Sequence, residues 1–405
     1  MDCVSRFLRY VSFPTTSNTT EQTVPSNLKI NDLANALAEE LRSIGLTDAA
    51  VDEYGRVYAH LEATPGREQC RTLGLIAHMD TSPDASGENI KPQRVLYQGG
   101  DLVLNEELGI WMTAEEFPSL QQYVGQELIV TDGTTLLGAD DKAGIAEIVT
   151  AAEWFVSHPE VPHGRIAIAF TADEEIGNGA DYFDFARFDA DFAFTVDGGA
   201  LGEVEWENFN AANAGIKIHG RNIHPGSAKN IMKNAVLLAN EFITMLPAAE
   251  TPAHTEGYEG FFHVNYIHAE ETEGYINLII RDHDRELFEG RKLLLENITR
   301  YLNAKYGENT FELILKDTYY NMREKMVDHM FLIDWAKESF GEVGVAYREI
   351  PIRGGTDGAV LSWEGLPCPN LSTGGENFHC VHEYIPVPSL EKMSEMLIRL
   401  VQHCE

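Results

Sequence analysis

The sequence predicts an α/β protein, a sheet sandwiched by helices, with a smaller α+β domain inserted into it. Three observations carry this. Apolar strand-like runs alternate with helical periodicity through the first half. From about residue 213 the pattern becomes strand, helix, strand, strand, helix, strand, and later it reverts. A length of 405 residues also exceeds what one core usually covers. The expected division is 1–207 and 321–405 for a split α/β domain, and 208–320 for the insert.

Residues 14–27 (PTTSNTTEQTVPSN) read as a polar loop. Asn31 is placed to cap a helix whose Leu33, Leu37, Leu41 and Ile44 share one face. Strand-like runs follow at 73–77 (LGLIA), 127–131 (ELIVT), 165–171 (RIAIAFT) and 191–196 (DFAFTV). Between the second and third, residues 141–157 carry Ile145, Ile148, Val149, Ala152, Phe155 and Val156 at helical spacing. In the insert, strands are expected at 214–219, 261–267, 275–281 and 310–315, and helices at 231–245 and 287–306. That is the order of a ferredoxin-like unit of about 100 residues. A helix at 328–340, loops punctuated by glycine and proline, and a helix at 389–401 complete the chain.

Composition removes several functions. With 64 acidic and 30 basic residues the formal net charge is −34. Such a chain repels nucleic-acid phosphates and anionic lipid, so neither is an expected partner. The five cysteines, Cys3, Cys70, Cys368, Cys380 and Cys404, are odd in number and form no C-x-x-C pair. This argues against a disulfide framework and fits a reducing, cytoplasmic setting. Asp2, Arg6 and Arg9 interrupt the N-terminal apolar stretch, so no signal peptide is expected. No run approaches the ~18 apolar residues of a membrane span.

Acidic and histidine-bearing segments recur, most of them directly after apolar runs, where α/β sheets gather functional side chains. His78-Met79-Asp80 follows 73–77; in an extended segment His78 and Asp80 point to the same side. A carboxylate beside an imidazole fixes its tautomer, although an isolated pair of this kind is more often structural. Asp140-Asp141 precedes the 141–157 helix; one aspartate can cap it, leaving Asp140 for a metal. Asp173-Glu174-Glu175 follows 165–171, and three adjacent acids need cations or a held proton. A metal ligand beside a general base meets that need, as would a plain solvated turn. Asp197, before Gly198-Gly199, is a further ligand candidate or an ordinary Asp-Gly turn. Gly354-Gly355-Thr356-Asp357-Gly358 offers a backbone pocket for a substrate. Gly374–His379 delivers a histidine, with His382 a close rival. Nucleophile-elbow, zincin and phosphate-loop motifs are absent.

Taken together, AHMDTSPD, GADDKAGIAEI, FTADEEIGNGA, VDGG, RDHDR, GGTDGA and LPCPN-x-x-TGG-x-N-x-H resemble the co-catalytic zinc aminopeptidase and carboxypeptidase clan. HTEGYEGFFH at 254–263 is similar to its tripeptide aminopeptidases. The resemblance runs along nearly the whole chain and implies a zinc-peptidase sheet with an inserted lid and dimerisation domain. It implies two zinc ions per subunit, with cobalt or manganese able to replace them, and a homodimer acting on short peptides. His78, Asp140 and Asp197 would hold one zinc, and Asp140, Glu175 and His379 the other, with Asp140 bridging. Asp80 would orient His78, and Glu174 would be the general base. The Asp140–Asp141 bond is expected to be cis. His224 would reach the scissile region across the dimer, Arg281 and Arg353 would anchor the substrate carboxylate, and Gly355 would lie against the substrate.

The implied reaction is release of the first residue of a tripeptide by metal-activated water. Dipeptidase, carboxypeptidase or amide deacylase activity within the clan, and a non-catalytic peptide binder outside it, are the alternatives. Two departures stand out: Cys380 follows His379 where relatives carry glycine, and Ala172 stands where proline is common.

Overall fold

In the computed structural model, which describes residues 1–403, the runs at 73–77, 165–171 and 191–196 lie side by side. Leu73–His78 pairs in parallel with Ile166–Thr171 on one side and Phe192–Gly198 on the other. Asn370–Ser372 continues the parallel block beside Phe192–Gly198. Short strands complete an eight-stranded mixed sheet: Ala50–Val51 and Val57–Leu61 at one edge, Glu203–Glu205 and Arg348–Glu349 at the other. Every residue of Leu73–His78 and Ile166–Thr171 is buried, as a parallel sheet covered on both faces requires. A Cβ at Gly74 would come within 2.5 Å of the Phe188 ring, so glycine lets that ring pack on the sheet.

The run at 127–131 behaves differently. It forms Glu127–Val130, which leaves the main sheet and pairs antiparallel with Gln93–Leu96 and Ile385–Pro386. Leu128 and Val130 are buried there with Tyr97, Met112 and Tyr384. An apolar run reports burial, not which sheet provides it.

Ala139–Ser157 packs across Leu73–His78 and Phe192–Gly198, flanked by the helices Cys3–Tyr10 and Val387–Gln402. Gly144 permits the approach: a Cβ there would sit 1.9 Å from the Val196 carbonyl oxygen. The first residues of this helix are irregular. Asp140 and Asp141 have non-helical backbone angles and are joined by a cis bond. Asn31 does not cap its helix, which runs Ile30–Ile44 and already contains it. Asn27 starts the turn instead; its side chain accepts from Lys29 N and its carbonyl from Ile30 N. Buried Arg6 clamps this end of the unit, with Nε 2.8 Å from Glu40 Oε1, while Tyr10 donates to Glu40 Oε2. Among the described residues no helix is long and apolar enough to cross a membrane.

The chain divides into two units. The first comprises Met1–Trp206, Glu324–Ile350 and the chain from Thr356 onward; the second comprises Glu207–Arg323 and Pro351–Gly355. The strip Pro351–Gly355, grouped with the α/β domain on sequence, joins the second unit because Ile352 N bonds to Glu207 O at 2.8 Å. The second unit is a four-stranded antiparallel sheet, ordered Phe261–Ala269, Glu273–Asp282, Asn210–His219, Phe311–Tyr319. With the helices Ala235–Thr244 and Arg285–Tyr306 packed on it, this is the ferredoxin-like arrangement. Its core holds Ile216, Ile218, Phe242, Ile276, Leu278 and Leu295. The first helix begins later than its apolar pattern suggests, because Asn234 caps it by accepting from Val236 N and Leu237 N.

Candidate metal centre

The carboxyl ends of the parallel strands place His78, the 173–175 turn and Asp197 side by side. The irregular helix start adds Asp140, and the loop after Asn370–Ser372 adds His379. His78 Nε2 lies 2.8 Å from Asp140 Oδ1 and 3.2 Å from Asp197 Oδ1. His379 Nε2 lies 3.1 Å from Asp140 Oδ2 and 2.9 Å from Glu175 Oε2. One aspartate therefore faces both imidazoles, one oxygen to each.

The two adjacent aspartates diverge. Asp141 accepts from His78 N at 3.0 Å through Oδ2 and from Gly144 N at 3.3 Å through Oδ1. Its carboxylate tethers the helix start to the sheet, leaving Asp140 to face the histidines. Asp141 is close enough to His78 and Asp197 to share a cation with them, but both of its oxygens are already occupied by amides.

The three consecutive acids separate as well. Asp173, in the left-handed backbone region at φ 67°, is buried and accepts from Ser26 N at 2.7 Å and Ser26 Oγ at 2.5 Å. Glu175 turns to His379, and its Oε1 is buried without a partner. Burial, and then the charge of Asp197, push Glu174 well above the usual carboxylate range.

Asp80 has more than one task. His78 Nδ1 is nearest to the Asp80 main-chain carbonyl, at 3.0 Å, with the carboxylate at 3.5 Å. A carbonyl acceptor at Nδ1 leaves Nε2 as the nitrogen facing the other ligand candidates. The Asp80 carboxylate accepts from Glu174 N and Glu175 N, each at 3.1 Å, and from Ser17 Oγ at 2.5 Å. It thus fixes the backbone of the turn that carries both glutamates. Burial alone would raise Asp80, but His78, Ser17 and the Glu175 amide bring it below its usual value.

Positive charge is scarce here. Among the described residues, the ion pairs of Asp140, Asp197 and Glu175 are with His78 and His379 alone. Burial pushes Asp197 up to about 7 despite His78. Asp140 and Glu175 push His379 up to about 11. Three carboxylates and two imidazoles with this shortage of cations, one carboxylate oxygen buried and unpaired, fit divalent metal; imidazole with carboxylate suits zinc and its neighbours. A cavity of about 580 Å³ opens against Glu175 and His379, walled by Asp84, Tyr182 and residues 21–24.

His382 is not in this group; its ring packs on Phe117 at 4.8 Å. His224, Arg281, Arg353 and Gly355 lie in the second unit. His224 is exposed and accepts from Gly226 N at 3.1 Å. Arg281 donates to the Ile280 carbonyl and faces the Tyr319 ring, against which Gly355 closely packs. Arg353 donates to the carbonyls of Gly257 and Glu259 and to Thr255 Oγ1.

Sequence reasoning missed three buried supports. Asn370 Oδ1 accepts from Asp197 N at 3.1 Å while its amide donates to buried Glu205 at 2.6 Å. Glu383 accepts amides from the turn ahead of Asp140. Asn370 and Glu383 serve main chain and Glu205 serves Asn370, and no local sequence pattern marks such residues.

Residues 131–403 match the family model described as Peptidase family M20/M25/M40. Peptidase T of Caldanaerobacter subterraneus subsp. tengcongensis is 52% identical over 400 residues, covering 98% of both chains. A tripeptidase from Staphylococcus aureus shares the fold with a TM-score of 0.79 at 22% identity, over 99% of this chain and 97% of that one. The aminopeptidase PepT from Bacillus cereus does so with a TM-score of 0.77 at 21% identity, over 99% and 98%. The sheet, the inserted unit and this similarity agree: the chain belongs to the M20/M25/M40 peptidase family.

Proposed function

We propose that the chain is a metal-dependent aminopeptidase that releases the N-terminal residue of tripeptides. The placement of Asp140 between the two imidazoles carries this reading, because a shared carboxylate is what a two-metal hydrolase requires. The names of its relatives, peptidase T and tripeptidase, support the substrate class.

His78, Asp140 and Asp197 would hold one metal ion, and Asp140, Glu175 and His379 the other. When bound, two zinc ions, or cobalt or manganese in their place, would acidify water at the site and polarise the peptide carbonyl. Glu174 takes the proton of the attacking water and returns it to the leaving amine. Asp80 holds the backbone of Glu174 and Glu175 and sets the His78 tautomer. In the second unit, His224 would steady the scissile carbonyl, and Arg281 and Arg353 would take the substrate carboxylate beside Gly355. Both arginines must exchange existing backbone bonds to do so. A cytoplasmic setting is supported by the free thiols of Cys3, Cys70, Cys368 and Cys380. A homodimer is supported by the family resemblance.

A panel of di-, tri- and tetrapeptides, free and N-acetylated, with and without added zinc, tests this. Zinc-stimulated cleavage confined to free tripeptides is the expected result. Preference for N-blocked peptides or dipeptides would replace the assignment with a deacylase or dipeptidase.

A further inference from the structure

Glu383 lies four residues beyond His379 and is 1% exposed. Its Oε2 accepts from Leu137 N at 2.6 Å and Gly138 N at 2.8 Å, and its Oε1 from Asp140 N at 3.1 Å. The three amides converge because Gly138 takes a left-handed conformation, φ 79°, which turns successive N–H groups toward one point. Such a concavity binds an anion, and here a side chain of the same protein fills it. The other end of the contact is equally constrained. The His379 loop is closed by the pairing of Glu376 with Tyr384 and by Asn377 Nδ2 donating to the His382 carbonyl. One carboxylate thus joins the turn carrying Asp140 to the loop carrying His379, which are 239 residues apart in sequence.

We infer that Glu383 is a positioning residue: it sets the separation of Asp140 and His379, and through it the affinity for metal on the Glu175–His379 side. This rests on the two-metal reading above. The acceptor count explains why this carboxylate is needed. A glutamine carbonyl can take two of the three amides, but its NH2 group would then face the third N–H, donor against donor. The turn must shift away, taking Asp140 with it.

The test is Co²⁺ titrated into chelator-treated wild type and Glu383→Gln, followed by calorimetry and visible absorption. Thermal midpoints of the metal-free proteins are measured in parallel. For Glu383→Gln, Co²⁺ affinity at the weaker site should fall about 10–100-fold, the usual effect of removing an outer partner of a ligand. KM for a tripeptide should hold, and kcat should recover at saturating Co²⁺. Unchanged Co²⁺ affinity, with or without a lowered metal-free midpoint, would overturn the inference. If Glu383→Gln yields no folded protein, Glu383→Asp decides: the charge is kept on a shorter arm, so an intermediate affinity is expected, and wild-type affinity overturns it. Wild type that binds no Co²⁺ would instead refute the metal reading itself.

Discussion

At the level of single residues, neighbours of the same type do different work. Asp140 faces imidazoles while Asp141 holds amides, and Glu174 stands free of the ion pair that engages Glu175. Two predictions follow from these geometries. Glu174→Gln should lower kcat by about 10²–10⁴-fold, the usual range for a general base, with zinc content by elemental analysis unchanged. Asp140→Ala should lose both turnover and bound zinc, and Asp141 should not rescue it because its oxygens are occupied. The side chains that the structure gathers at the strand ends were legible because most have a chemically distinctive neighbour in sequence, such as His78 with Asp80 or Glu174 with Glu175. Asn370, Glu205 and Glu383 were not, since their partners are main-chain amides or one another across long sequence separations.

At the level of elements, periodicity located most strands and helices but not their partners or first residues. The run at 127–131 was legible as a strand, yet its sheet depended on Gln93–Leu96 and Ile385–Pro386, which carry little apolar signal. Helix starts lay outside the apolar pattern: Asn234 caps one, and the helix at Ile30 follows a turn built on Asn27 instead of a cap at Asn31. The same principle gives a stability prediction for the N-terminal helices. Arg6 is buried against Glu40, so Glu40→Ala leaves a buried guanidinium short of its most buried counter-charge. A loss of about 3 kcal/mol is expected, read by urea denaturation, a typical cost for breaking one side of a buried pair. Glu153, which also reaches Arg6, limits the damage.

At the level of the whole molecule, metal bound at this centre would be coupled to folding. A ligand bound only by the native state adds about 2.7 kcal/mol at a hundredfold excess over Kd. Chelation should therefore lower the thermal midpoint as well as abolish activity, and added Zn²⁺ should restore both, as scanning calorimetry with assays would show. The parallel order of the sheet makes that centre a long-range object: Asn370–Ser372 is built beside Phe192–Gly198, and His379 meets an aspartate 239 residues earlier. This has a bearing on synthesis. A growing chain carries His78, Asp140, Glu174 and Asp197 long before His379 and Glu383 emerge. Until then Asp140 has only one histidine to face, so on the two-metal reading a half-made copy would hold only one of the two metal sites.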